Sequence, residues 1–253
     1  MIRLIHAEFR KLTATTLWWW LLLGSLALTA LFVSLSIAFD GSTGNPTPPL
    51  STLDGQRNTL AAASGATALV GVLGAIAMTA EFRHLTATPT FLATPRRGRI
   101  VAAKLITYTM IGFGFGLACL ALTIAIALPW LSAKAITVSL TAPGLPLTAL
   151  GVLAVMTIYG PLGVGIGALV RNQIAAVVGL LIYLFVLDPV LTAIPALRPV
   201  TRYLPGPASA ALTGRAAPNF PTLPAWAGGL LLAGYAVVLA ALGARFALRR
   251  DVT

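Results

Sequence analysis

The sequence predicts an all-α fold, a polytopic membrane protein of six transmembrane helices forming one domain over residues 1–253. Three observations carry the prediction. Of 253 residues 58% are hydrophobic and 9% charged, whereas soluble domains carry about a quarter charged residues. The apolar residues gather into six runs of roughly 20 residues, the length that crosses a bilayer. Lys and Arg lie between these runs, with only Arg245 inside one, near its end. In lipid a helix satisfies its own backbone N–H and C=O groups, so each run reads as a helix. The spans and their short connections use nearly the whole length, leaving no room for a separate catalytic domain.

Residues 1–14 read as an amphipathic helix lying in the membrane interface. Ile2, Ile5, Phe9 and Leu12 recur at spacings of three and four, with Arg3, His6, Arg10 and Lys11 on the other side. The apolar stripe suits the acyl boundary and the basic face suits anionic lipid. His6 belongs to the polar face and needs no metal or catalytic role.

The spans are placed at Leu17 to Phe39, Leu60 to Ala80, Leu105 to Trp130, Leu147 to Val170, Ile174 to Pro195 and Trp226 to Leu248. The first exceeds the roughly 7–15 apolar residues of a signal core and reads as an uncleaved span. Trp18, Trp19 and Trp20 mark its entry into the bilayer. The loop after it, from Asp40 through Gly44 and Pro49 to Gly55, reads as irregular. Glycines at 112, 114 and 116 in the third span and at 160, 163, 165 and 167 in the fourth give small-residue faces for close helix packing. Neither run carries the Gly-Lys-Ser/Thr ending of a phosphate loop. Near the end of the fifth span, Asp188-Pro189 is expected to end the helix early, leaving the external segment 196–225 as short re-entrant pieces.

Basic residues set the expected orientation. The N-terminus, the second and fourth loops and the C-terminus hold twelve Lys and Arg, and the other three loops hold five. By the positive-inside rule both termini are cytoplasmic. The net charge of +11 therefore marks topology, and no soluble surface is large enough for a nucleic-acid module. Cys119 is the one cysteine and lies in an apolar run, where it reads as a small buried residue. With two histidines and six acidic residues, a metal set or acid–base pair is not expected, and the chain is not read as an enzyme in itself. Asp188 is the one acidic residue within a span. A solvated helix end near the external face is the favoured reading, and a proton or substrate site on a translocation path the other.

Residues 81–104 form the most informative connection. Thr88 suits a helix cap, Pro89 suits the first helical position and Thr94-Pro95 disfavours continuation, leaving a short helix with Phe91 and Leu92 near its middle. That helix, beside Arg96, Arg97 and Arg99, is either a knob for a cytoplasmic protein's cleft or a loop dipping into lipid. Glu81 either pairs with Arg83, Arg96 or Arg97 or is a solvated carboxylate.

The order Glu81-x-Arg83, Thr86 and Thr88, Leu92-x-x-Pro95, then the arginines and Ala102-x-Lys104 resembles the first cytoplasmic loop of ABC-2 type transporter permeases. The opening Ala7-Glu8-Phe9-Arg10-Lys11-Leu12 is similar to that family's interfacial helix, and Arg202-Tyr203-Leu204-Pro205-Gly206-Pro207-Ala208 to its external segment. The pattern departs at Leu85, where many members have Gly. The resemblance implies a permease subunit of an ATP-driven exporter in a bacterial plasma membrane, paired with a second permease copy and with separate ATP-binding subunits that hold ATP and Mg. It implies ATPase coupling through Glu81, Arg83, Thr88, Pro89, Phe91, Leu92, Arg96, Arg97 and Arg99, and an external gate at Tyr203, Leu204 and Pro205. An amphipathic or lipophilic compound (drug, peptide or lipid) is the expected cargo. A secondary transporter or channel without ATPase is the alternative, with Asp188 its one candidate charge.

Overall fold

The structure, a computed structural model, describes residues 1–42, 47–83, 97–139, 141–215 and 222–249. Among them every regular element is helical: α1 Ile2–Thr13, α2 Leu17–Ala38, α3 Leu53–Ala61, α4 Thr67–Arg83, α5 Arg97–Ala133, α6 Leu145–Val170, α7 Gln173–Ile182, α8 Asp188–Ala193, α9 Arg198–Thr201, α10 Pro205–Thr213 and α11 Ala225–Arg249. Six stretches are long and apolar enough to cross a membrane: Leu17–Ala38, Leu53–Arg83, Gly98–Ala133, Leu145–Val170, Gln173–Ala193 and Ala225–Gly243. The chain has the fold of a multi-pass membrane protein.

Two spans start earlier than hydropathy predicts. The loop expected to stay irregular through Gly55 turns helical at Leu53, because the Thr52 hydroxyl accepts the Gly55 N–H at 3.2 Å and caps the first turn. A short 3-10 stretch, Ala62–Ala66, then carries α3 into α4. Helix α5 begins at Arg97, eight residues before the predicted Leu105. Ile100, Val101 and Ala103 are buried in the bundle, and Lys104, assigned to the loop by its charge, is buried with them.

Helix α6 is the centre of the bundle, packed against α4, α5 and α11. Its glycines make this possible. A side chain on Gly163 would overlap the Gly71 carbonyl of α4, and one on Gly160 would overlap the Tyr108 carbonyl of α5. Gly165 faces Leu239 and Ala240 of α11, where a side chain would also be too close. Where hydrophobicity gives helices no drive to leave lipid, such backbone approach supplies the dispersion contacts that hold them together.

The fifth span runs unbroken through Asp188-Pro189, where an early end was expected, because the helix widens to take up the proline. Pro189 has no N–H for the Phe185 carbonyl, and the preceding turn, Tyr183–Leu187, widens to a π-turn in which the Asp188 N–H donates to the Tyr183 carbonyl. The helix continues as α8 and ends at Ala193. Short pieces follow, of which α10 lies against α6 and α11. Close approach is again written in glycine: Gly151 of α6 faces the Leu212 carbonyl, and Gly228 of α11 lies against the Ala208 carbonyl.

Candidate functional site

Four charged side chains from three elements meet at one end of the bundle. Glu8 comes from α1, Glu81 from the last turn of α4 and Lys104 from the second turn of α5, while Lys11 lies one turn beyond Glu8. Lys104 Nζ donates to Glu8 Oε2 at 2.5 Å and to the Ala77 carbonyl at 3.2 Å, and lies 2.9 Å from Glu81 Oε1. Lys11 Nζ donates to Glu8 Oε1 at 2.8 Å and to Glu81 Oε1 at 2.9 Å. Each ammonium thus bridges both carboxylates, and the cluster is neutral.

Burial makes this arrangement consequential. Glu8 and Glu81 are 5% exposed and Lys104 is 1% exposed. Withdrawing such ions from water costs several kcal/mol each, about what close pairing can return. Burial pushes the Glu8 carboxyl upward, but Lys104 and Lys11 beside it outweigh that and hold it below the usual carboxylate range. Burial likewise lowers Lys11, and Glu8 with Glu81 more than reverse it, so its ammonium is held above the usual lysine range. A cavity of about 370 Å³ adjoins the cluster, reaching Thr15, Leu73, Ile76 and Tyr108.

This geometry adds Glu8 to the packed face of α1 and gives Glu81 lysine partners. Among the described residues Glu81 pairs with Lys11 and Lys104, because the early start of α5 carries Lys104 into the bundle beside it. The buried residues of α1 are Glu8 and Leu12. The signal was present: Glu8 falls three residues after Ile5 and four before Leu12, on the same helical face.

The other predicted coupling residues separate. Arg83 Nη1 donates to Gln173 Oε1 at 3.3 Å, linking α4 to the start of α7. Arg99 is exposed at the start of α5. Thr88, Pro89, Phe91, Leu92 and Arg96, with the short helix expected there, lie outside the described residues, as does the side chain of Arg97.

At the opposite end, Asp188 is buried, 8% exposed, contrary to the solvated helix end expected from Pro189. The widened turn before it directs its carboxylate at the start of α10. Pro205 and Pro207 have no N–H and the Ala208 N–H already donates to the Leu204 carbonyl, so Gly206 holds the free donor of the first turn. The Asp188 carboxylate faces the Gly206 backbone and lies near the Tyr183 hydroxyl, while its Oδ1 has no hydrogen-bond partner. Any side chain at 206 would overlap the carboxylate. Of the predicted gate residues, Leu204 and Pro205 form the start of α10. Tyr203 stacks under the Arg202 guanidinium at 4.7 Å, and its carbonyl accepts the Tyr235 hydroxyl of α11 at 2.9 Å.

Among the described residues no three His, Cys, Asp or Glu side chains gather as a metal site. No family model matches the chain, and no curated protein is similar to it in sequence.

Proposed function

We propose that the protein is the membrane-spanning subunit of an ATP-driven exporter of the ABC-2 type, with ATP and Mg held by a separate subunit docked on the segment between α4 and α5. One observation carries the reading: the Glu8–Lys11–Glu81–Lys104 cluster ties α1 to both stems of that segment. A push on the segment from the cytoplasm then moves α1, α4 and α5 as one body. Packing of α4 and α5 on α6 at glycine contacts hands this motion to the centre of the bundle. In this reading both termini are cytoplasmic, α1 lies in the interface of a bacterial plasma membrane, α9 and α10 form a re-entrant external piece and two permease copies enclose the path. A cavity of about 530 Å³ suits an amphipathic cargo, since Phe32, Phe39 and Phe185 line it together with Ser36, Asn58 and Arg215.

The test is capture of an ATP-binding subunit by the tagged chain from its native membranes. Replacing Phe91 and Leu92 by Asp is expected to abolish capture while membrane insertion persists, and undiminished capture would overturn the reading. The burial of Asp188 within an apolar span favours one alternative, a secondary transporter coupled to a cation. Asp188→Asn removes the charge and leaves an acceptor for Gly206, so unchanged transport by that variant counts against this alternative.

A further inference from the structure

Arg57 projects from α3 at the end of the bundle opposite the charge cluster. Its side chain passes between two glycines, Gly144 before α6 and Gly214 after α10, both in the left-handed region with φ 92° and 65°. A Cβ on Gly144 would lie 3.2 Å from Arg57 Nε, and one on Gly214 would overlap Nη2. The absence of both side chains makes the slot that fixes the guanidinium. Its Nε donates to Thr148 Oγ1 at 3.4 Å, and its Nη1 lies 3.5 Å from Asp54 Oδ1. Both contacts are long and Asp54 is largely exposed, so they leave donor capacity for a closer acceptor.

From this guanidinium a groove of about 300 Å³ runs along α6, bounded by the C-terminal end of α10 and the start of α11. Leu147, Leu150, Ala154, Leu212 and Trp226 line it, with Arg57 and Thr148 at one end. Thr148 to Ala154 spans about 9 Å of helix. Leu147, Leu150 and Trp226 are 69%, 60% and 70% exposed and belong to stretches that can cross a membrane, so the groove opens toward lipid.

A fixed cation at one end of an apolar furrow matches a ligand with an anionic head and a hydrocarbon tail. The geometry points to a binding site for an anionic phospholipid, its phosphate on Arg57 and one acyl chain laid along Leu150, Ala154 and Leu212 beside Trp226. Guanidinium is the side chain best shaped to hold phosphate through paired N–H donors, and an indole beside it suits headgroup depth. The site requires only that the chain lie in a bilayer and is independent of the exporter reading.

Native mass spectrometry of the full chain in an uncharged detergent tests it, with dioleoylphosphatidylglycerol, dioleoylphosphatidylcholine and glycerol 3-phosphate as probes. Phosphatidylglycerol is expected to be retained about tenfold or more over phosphatidylcholine, Arg57→Gln to remove that preference and glycerol 3-phosphate to show no retention. Ala154→Phe fills the groove with Arg57 left in place and is expected to lose phosphatidylglycerol as well; if Arg57→Gln does not fold, this variant decides. Equal retention of the two lipids, or unchanged preference in a folded variant, overturns the site. Retention of glycerol 3-phosphate as tight as that of the lipid assigns Arg57 to free phosphate and overturns the lipid assignment.

Discussion

Lys104 is the residue on which the charged end depends most. With Glu8, Glu81 and the Ala77 carbonyl around it, its ammonium has no water-facing side. Replacing it with Met removes one charge and leaves two buried carboxylates facing each other with only Lys11 between them. Breaking a buried pair from one side costs about 3–5 kcal/mol. Lys104→Met is therefore expected to lower the melting temperature of the detergent-solubilised protein, and pairing it with Glu8→Gln, which restores neutrality, to recover part of the loss. A double variant less stable than the single one would show that the cluster is not held by mutual charge compensation.

At the scale of elements, α10 shows how a short helix is held in an apolar setting. Its N-terminus, the positive end of the helix dipole, abuts the Asp188 carboxylate, and its left-handed cap Gly214 abuts the Arg57 guanidinium. Opposite charges at opposite ends complement the dipole, and a helix of nine residues has little stability of its own. Asp188→Asn keeps an acceptor beside the Gly206 N–H, whereas Asp188→Leu removes it and leaves that half-buried donor without one, at a cost of up to about 1–3 kcal/mol. Hydrogen exchange across Pro205–Thr213 should stay slow in the Asn variant and quicken in the Leu variant; equal protection in both would rule out capping. The longer helices depend on backbone approach. Gly163→Leu places a side chain against the Gly71 carbonyl and must push α4 from α6. Loss of a monodisperse peak in size-exclusion chromatography is expected, and an unchanged profile would show that the two helices can part without cost.

For the whole molecule, the six-span fold was legible because apolar run length is a property of consecutive residues. Glycine packing was legible for a similar reason, since small residues at i and i+4 share a face. The cluster was not. Glu8, Glu81 and Lys104 are separated by most of the first three helices, and their meeting depends on α5 starting at Arg97, which charge-based trimming of the span obscured. Asp188 was misplaced because a π-turn rotates its side chain inward, a change that residue order does not encode. The hidden cluster gives the molecule its pH response. Glu8 is held below the usual carboxylate range, so its contribution to stability is present above that range and lost as pH falls through its depressed pKa. Lys11 is held above the usual lysine range, so its contribution is present below that range and lost as pH rises through its raised pKa. A melting temperature flat across neutral pH is expected, falling below about pH 4 and again above about pH 10.5. Glu8→Gln should shrink the acid arm and spare most of the alkaline one. An acid arm of the same size in that variant would place the acid response in other carboxylates and leave the joint between α1, α4 and α5 insensitive to acid.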